Sequence, residues 1–335
     1  MTVRVGVIGT GRIGSDHIRR LTGTIPGAEV VAVSDVDTER AELVAGEIGA
    51  TAIPGGTDLI ADDRVDAVVV TSIGPTHAEY VLAAIDSGKY VFCEKPLATT
   101  AQDCLRIVRA EREFGSRLVQ VGFMRRYDAG YRAMKRVIDA GEIGTPLIMH
   151  CVHRNASVPD SYHSAMAVQD TAVHELDTIR WLLGTEIART QVHVPRSTAN
   201  RFPHLRDPQL MRFETEDGVH IDLEVFVNCQ YGYDIQCETV GELGTVRLPD
   251  PPDVAVRKAG QLRTGVLQDW TTRFVDAFDR ELREWIESVH AGRLCGPSAW
   301  DGYAVAVSSD ATVRALESGE IVEVRLTEKP ELYQG

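Results

Sequence analysis

The sequence predicts a doubly wound α/β domain with a parallel sheet, followed by an α+β domain with a largely antiparallel open sheet. Three observations predict it. Short β-rich runs alternate with helical stretches over the first 122 residues. After residue 123, strand candidates follow one another without helices between them. The length, 335 residues, is roughly twice that of a typical single domain. The expected domains are residues 1–122 and 123–335, with the last helices able to pack back on the first domain.

The first strand is Val3–Ile8, apolar enough to be buried on both faces. Glu29–Ser34 (EVVAVS), Asp66–Thr71 (DAVVVT), Tyr90–Cys93 (YVFC) and Leu118–Gly122 (LVQVG) repeat its signal. Between them lie helical patterns at about 12–22, 38–48, 76–87 and 100–114. Strand–helix–strand alternation at this spacing means parallel strands with helices on both faces. Pro146–Arg154 opens the second domain's sheet, and Gly218–Asn228 is its clearest strand. There Val219, Ile221, Leu223, Val225 and Val227 share one face, opposite His220, Asp222, Glu224, Phe226 and Asn228. Strict period two means a sheet with a single apolar side. Further strands are expected at Tyr233–Val240, Thr245–Leu248 and Val254–Lys258, the last two separated by the turn-rich Pro249–Asp253. Two helices close the chain, at about 270–291 and 300–317. Trp270, Trp285 and Trp300 are expected to pack helices, with Trp270 the candidate exception.

The net charge of −14 argues against nucleic acid, whose phosphates need surplus cation, and against an anionic membrane surface. Apolar residues at 44% with 25% charged are those of a globular chain, not a disordered one. No apolar run approaches the roughly 18 residues that span a bilayer, and the glycines of MTVRVGVIGTGRIG break any secretory apolar region. A soluble cytoplasmic protein is expected. The six cysteines (93, 104, 151, 229, 237 and 295) form no Cys-x-x-Cys pair and are expected to be reduced. Cys93 reads as a packing residue.

Gly9-Thr10-Gly11-Arg12-Ile13-Gly14 is G-x-G-x-x-G, directly after the first strand and at the opening of a helix. That context is the one a dinucleotide-binding Rossmann loop requires. Gly9 permits the tight turn, Gly11 clears the approach of a pyrophosphate, and Gly14 lets helix and strand pack closely. The helix amino end favours the phosphates. Asp35, at the end of the second strand, is placed to accept from ribose hydroxyls. A carboxylate there repels an extra 2′-phosphate, so NAD is expected over NADP. Arg12, inside the loop, is the residue that complicates this preference.

Glu94-Lys95-Pro96 ends the Tyr90–Cys93 strand, where ligands of such sheets bind. A lysine there can donate to a substrate oxygen and stabilise developing negative charge. The alternative is a surface lysine before a turn proline. Farther on, Asp170 and His174 share a helix face with Asp177 and Trp181, opposite the apolar Ala172, Leu176, Ile179 and Leu183. A carboxylate–imidazole pair suits general-base work; the alternative is a pair bonded to backbone or solvent. No metal is expected. His174-Glu175 does not continue as H-E-x-x-H, because position 178 is Thr, and His150 and His153 point to opposite faces of a strand. His17 and His77 read as exposed helical histidines with no catalytic part.

Together these pieces resemble the Gfo/Idh/MocA oxidoreductase family, which pairs an amino-terminal Rossmann domain with an EKP motif and a later D-x-x-x-H helix. The resemblance covers nearly the whole chain, in VFCEKPLATT, RLVQVGFMRRYD, CVHRN, VNCQYGYDIQCE, GPSAWDGY and KPELYQ, and is strongest to the family's inositol-type members. Several members carry Asn where this chain has Gly74-Pro75-Thr76-His77; the inositol-type members look more like the present version. The resemblance implies that Lys95, Asp170 and His174 are the catalytic set and that Lys95–Pro96 is a cis peptide. It implies cofactor contacts from the glycine loop (Gly9, Gly11, Arg12, Ile13, Gly14), from Asp35 and Val36, and from Thr71, Ser72, His77, Glu94 and Lys95. It implies a polyol pocket lined by Met124, Arg125, His153, Asn155, Asp170, His174, Asp177 and Tyr233, with Tyr231 nearby. A homotetramer joined through the carboxy-terminal sheets is implied as well. The activity implied is NAD-dependent oxidation of myo-inositol at one ring hydroxyl to 2-keto-myo-inositol (scyllo-inosose). Oxidation of scyllo- or D-chiro-inositol, an aldose 1-dehydrogenase activity, and a non-catalytic NAD-dependent sensor stay open as alternatives.

Overall fold

The structure is a computed structural model that describes residues 2–250 and 254–334. Residues 251–253 of the expected turn lie outside the described residues. The chain divides into two compact units. One comprises Met1–Met124, Phe278–Ala306 and Leu326–Gly335; the other comprises Arg125–Ala277 and Val307–Arg325.

The first unit opens with β1 (Val3–Ile8), α1 (Arg12–Gly23), β2 (Ala28–Ser34), α2 (Thr38–Ile48), β3 (Thr51–Ala52) and α3 (Gly56–Ala61). It continues with β4 (Ala67–Val70), α4 (Gly74–Asp86), β5 (Tyr90–Glu94), α5 (Ala101–Phe114) and β6 (Val119–Gly122). The strands form one parallel sheet in the order β3-β2-β1-β4-β5-β6. The apolar runs that made the strands legible are those of a sheet covered on both faces; every residue of β4 is buried. Strand order reverses between β1 and β4, which opens a crevice at the carboxyl ends of those two strands. Capping fixes where helices begin. Asp37 accepts from the Arg40 N–H at the start of α2, and Thr100 accepts from the Asp103 N–H at the start of α5. The sequence did not reveal β3 and α3, of two and six residues, because neither is long enough to show a period.

The second unit starts with α6 (Ala129–Asp139), β7 (Pro146–Arg154) and α7 (Val173–Leu183), and continues with β8 (Ile187–His193) and β9 (Gln209–Thr215). Then come β10 (His220–Phe226), β11 (Asp234–Gly241), β12 (Thr245–Arg247), β13 (Val256–Lys258) and β14 (Gln261–Arg263). With β15 (Val322–Glu323) they build a seven-stranded sheet in the order β12-β11-β7-β10-β9-β8-β15, apart from a separate exposed β13–β14 hairpin. Pairing is antiparallel except between β10 and β7. The alternation of β10 is as read: Ile221, Leu223 and Val225 are buried, and the residues between them are not. Leu223 sits opposite Met211 on β9 and Cys151 on β7, so three strands contribute to one buried row. The sequence reading missed α6, β8 and β9. In β9 Met211 and Phe213 alternate with Arg212 and Glu214, but with polar Gln209 and Thr215 at its buried ends the apolar run is too short to stand out. In α6 only Tyr131 and Met134 are buried, a narrow stripe among charges.

The chain then returns. From Phe278 onward α8 (Val275–His290) belongs to the first unit, where Leu282, Trp285 and Ile286 join Val5, Val7, Leu21 and Phe92 in the core. Trp300, at the start of α9 (Ala299–Ser318), is also buried, whereas Trp270 lies half-buried in a turn. The last segment is tied to the first unit by Tyr333, whose hydroxyl donates to Glu111 Oε2 (2.6 Å). Glu111 Oε1 accepts from the Val119 N–H at the start of β6 (2.7 Å). In the second unit, the later part of α9 meets β8 through Thr312 and Thr190 (Oγ1 to Oγ1, 3.1 Å). Among the described residues no helix is long and apolar enough to cross a membrane.

Candidate active site

The first unit supplies a cradle at its strand-order reversal. Gly9 follows β1 with φ +95°, and a Cβ on it would lie 2.6 Å from the Thr71 and Ser72 backbone beyond β4. A Cβ on Gly14 would lie 1.9 Å from the Gly9 carbonyl oxygen, so only glycine lets α1 pack this close to the loop. Thr71 Oγ1 donates to that same carbonyl (2.7 Å) and locks the two loops together. Gly11, by contrast, faces open space: nothing lies within 4 Å of where its Cβ would be. It caps the start of α1 without a side-chain hydrogen bond, which leaves the helix amino end open to an anion. Arg12 is exposed and Ile13 half-buried. An open cradle between two close-packed glycines fits a pyrophosphate.

Asp35 ends this half of the site. Its Oδ2 accepts from the Thr10 N–H (2.6 Å) and hydroxyl (2.9 Å), and its Oδ1 accepts from the Asp37 N–H (2.9 Å) and Arg40 (2.6 Å). Burial pushes its carboxyl up, but the Asp37 and Thr10 N–H groups and the Arg40 guanidinium together hold it below the ordinary value. Val36 beside it is 99% exposed. Arg40 is a contact that sequence reasoning missed; an arginine five residues beyond Asp35, in the first turn of α2, was the available signal.

Lys95 follows β5, half-buried, and the Lys95–Pro96 peptide is cis. Its backbone is held by its neighbours: Glu94 Oε2 accepts from the Lys95 N–H (3.1 Å), and Glu94 Oε1 lies 2.8 Å from His17 Nε2. On the next strand a Cβ at Gly122 would stand 3.1 Å from the Glu94 carboxyl carbon, so Gly122 makes room for this carboxylate. His77 Nδ1 lies 2.7 Å from the Pro96 carbonyl oxygen and Nε2 lies 2.9 Å from that of Ser72. The expectation of exposed histidines is therefore corrected: His17 and His77 are 0% and 2% exposed, drawn inward by partners far away in sequence. Glu94 and His77, expected as cofactor contacts, spend their polar groups on the protein and fix the lysine turn. Cys93 is fully buried and burial pushes its thiol up, as a packing residue requires.

The second unit supplies α7. The expectation of one continuous α-helix through Asp170 and His174 is corrected: Asp170 lies in a π turn, Ala167–Ala172, that feeds into α7. Tyr162 pins the wider turn, donating to the Met166 carbonyl (2.8 Å) and lying 2.6 Å from Thr171 Oγ1. Ala172, Leu176 and Ile179 are buried as expected, while Asp170 is exposed and His174 half-buried, so this end of the helix is open to a ligand. The His174 ring stands 6.4 Å from that of His153, which the Asp170 charge also reaches. Tyr233 meets His153 edge-on at 5.7 Å, and burial pushes its hydroxyl up to about 12, so it remains a donor. Asp170, His153, His174 and Tyr233 are thus gathered in one place.

Beneath them lies a buried charge cluster. Arg125, 1% exposed, pairs with Glu175, and its guanidinium lies against Tyr131 (5.9 Å) and Phe274 (5.8 Å). His153 Nδ1 is 3.0 Å from both Glu175 oxygens. Burial pushes His153 below its ordinary value, with Glu175 opposing. Burial also pushes Glu175 up, but the charges of Arg125 and His153 prevail and hold its carboxyl at about 2. Arg125 was expected to address ring hydroxyls; here its guanidinium is committed to Glu175. Asp177, expected in the pocket, is buried and accepts from Arg126 (2.9 and 2.5 Å). Glu175 was not singled out in the sequence, although a carboxylate packed among the core positions of a helix signals a buried partner. Asn155 is half-buried and donates its backbone N–H to Phe226 (3.0 Å). Met124 is buried, as the last residue of the first unit's opening segment. Tyr231 is exposed and bonded to Asp234 and Arg154, turned to the strand face opposite His153. His150 likewise faces away from His153, toward Asp222.

Comparison with known proteins gives the arrangement a context. Residues 3–123 match the model of an oxidoreductase family, NAD-binding Rossmann fold, and residues 135–324 match that family's C-terminal alpha/beta domain. The chain is 65% identical over 335 residues to inositol 2-dehydrogenase 3 of Saccharopolyspora erythraea, covering 100% of this chain and 99% of that protein. It is 56% identical to inositol 2-dehydrogenase of Ralstonia nicotianae, covering 100% of both. The crystal structure of myo-inositol dehydrogenase from Lactobacillus casei in complex with NAD(H) and myo-inositol superposes with a TM-score of 0.97 at 42% identity, covering 100% of both chains.

Two measurements check this geometry. Gly14→Ala places a methyl group against the Gly9 carbonyl and should weaken NADH binding on the order of tenfold or more, read by fluorescence titration. Glu175→Gln leaves Arg125 buried without its counterion and should cost about 3–5 kcal/mol in urea unfolding. Because the folded Glu175 value lies below the ordinary one, its contribution is complete above about 4.5 and is lost as pH falls toward about 2. The difference between wild type and Glu175→Gln should therefore shrink over that interval.

Proposed function

The chain belongs to the Gfo/Idh/MocA oxidoreductase family, and on that premise we propose that it oxidises myo-inositol with NAD, giving 2-keto-myo-inositol and NADH. The observation that carries this reading is the open end of α7, where Asp170 and His174 stand beside a clamped His153, in a chain alike over its full length to proteins named inositol 2-dehydrogenases.

Lys95, Asp170 and His174 are the catalytic set. His174 takes the proton of one ring hydroxyl as general base, and Asp170 orients the imidazole and stabilises its protonated form. Lys95 is assigned as a donor to a substrate oxygen, where an ammonium eases the build-up of negative charge as the proton leaves. A bound NAD would supply the hydride acceptor for the carbon that bears that oxygen. His153 reaches the polyol through the nitrogen that Glu175 does not hold, accepting from a hydroxyl, while Tyr233 donates. Asn155 and Met124 complete the lining; Arg125 and Asp177 support it from below. The glycine loop would hold the pyrophosphate of NAD, Asp35 would meet the adenosine ribose, and Val36 would offer an apolar surface to the base. A carboxylate at position 35 favours NAD over NADP.

The assembly we propose is a homotetramer in which the outer face of the second sheet, with Ile148 exposed on β7, meets other copies. A cytoplasmic site of action suits six cysteines that are all free thiols. Oxidation of a polyol, the direction the family resemblance suggests, fits a catabolic step.

NADH formation with a panel of myo-, scyllo- and D-chiro-inositol and glucose should show the highest kcat/KM with myo-inositol. A larger value for another member would replace the substrate. Tight NADH binding with no turnover on any polyol would indicate a sensor instead. His174→Ala should lower kcat by about 10²-fold or more with the NADH Kd unchanged; near-normal turnover would remove His174 from the base role.

A further inference from the structure

We propose that Arg40 is a displaceable counterion on the ribose-binding carboxylate, moved aside by the cofactor, and that it tunes selection between NAD and NADP. The proposal rests on the dinucleotide reading of the glycine loop. It begins with a count of acceptor sites. A carboxylate offers about four lone-pair positions. Asp35 has four donors on it already: the Thr10 N–H and hydroxyl on Oδ2, and the Asp37 N–H and Arg40 on Oδ1. A ribose hydroxyl can donate to this carboxylate only if one of them leaves.

Three cannot leave cheaply. The Thr10 and Asp37 N–H groups are backbone, set by the turn after β1 and by the turn into α2. The Thr10 side chain is buried beside them. Arg40 is different. Its backbone is fixed by the Asp37 cap (N–H to Oδ1, 3.1 Å), but its side chain is 43% exposed and has a second carboxylate, Asp37, at 3.3 Å. The pair is open to solvent on the arginine side alone, since the Asp35 side chain is 4% exposed and Arg40 Nε also reaches Thr10 Oγ1 (3.4 Å); a solvated guanidinium can swing to Asp37 and water, provided that another donor takes its place on the buried carboxylate. The guanidinium is therefore the donor that yields.

Two consequences follow, of opposite sign. Toward NAD, Arg40 competes with the ribose for Asp35. Toward NADP, a displaced Arg40 is a planar cation within reach of the 2′-phosphate, able to offset the repulsion of Asp35. The sequence suggested Arg12 for this part; the structure leaves Arg12 exposed at the start of α1 and gives the Asp35 contact to Arg40.

The test is equilibrium fluorescence titration of NADH and NADPH, without polyol, on wild type, Arg40→Ala and Arg40→Lys. Arg40→Ala, which removes the competitor for Asp35, should lower the NADH Kd about two- to fivefold and raise the NADPH Kd by about tenfold. Arg40→Lys, which keeps the charge and loses the fork, should fall between. A rise of both constants in Arg40→Ala, or no change in either, would overturn the proposal and leave the nucleotide site intact. Failure of wild type to bind either dinucleotide would overturn the reading of the loop and this proposal with it.

Discussion

A charge removed from water must meet a partner, and both units are organised around that requirement. Glu94 is answered by His17 and by the backbone of Lys95. Glu175 is answered by Arg125 and His153, Asp177 by Arg126, and Glu111 by two strand N–H groups and Tyr333. In three of the four, the partner or its chain neighbour is a residue of the proposed chemistry. The cluster that satisfies a buried carboxylate also fixes where Lys95 begins and how the His153 ring is turned. Stability and positioning are here one set of contacts.

The fold was legible wherever a period repeats over enough residues. The apolar runs of β1 and β4 and the strict alternation of β10 announced a covered parallel sheet and a one-sided one. The glycine loop was legible because each glycine answers a separate steric demand, and the structure shows those demands as distances. The buried partners were hidden for a physical reason. His17 and Glu94 are 77 positions apart, and Arg125 and Glu175 are 50 apart. No local pattern joins them, and a polar residue on a helix reads as exposed until its partner is known. The π turn at Asp170 was equally hidden, because what holds it, Tyr162, precedes it outside any helical repeat.

The two halves of the chemistry differ in kind. In the first unit, the proposed recognition is mostly backbone: glycines, a helix end and a single carboxylate, features that serve any dinucleotide. In the second, it is side chains of one helix and two strands, with a neutral imidazole held by a carboxylate that is itself neutralised by a guanidinium. Such a chain of neutralisations lets His153 present a hydrogen-bonding group of fixed polarity without a net charge of its own. The widened turn before α7 suits that role, since it lets Asp170 stay at the surface while the helix beyond it is almost wholly buried.

The route of the chain through the first unit has a bearing on its biogenesis. Leu282, Trp285 and Ile286 complete the core around β1, and Tyr333 seals the far side of the sheet against Glu111, yet both lie after the whole opening segment of the second unit. A ribosome delivers residues from the amino end, and units usually fold as they emerge. Here the opening segment, residues 1–124, is left with an uncovered apolar face until residues 278–306 have been made.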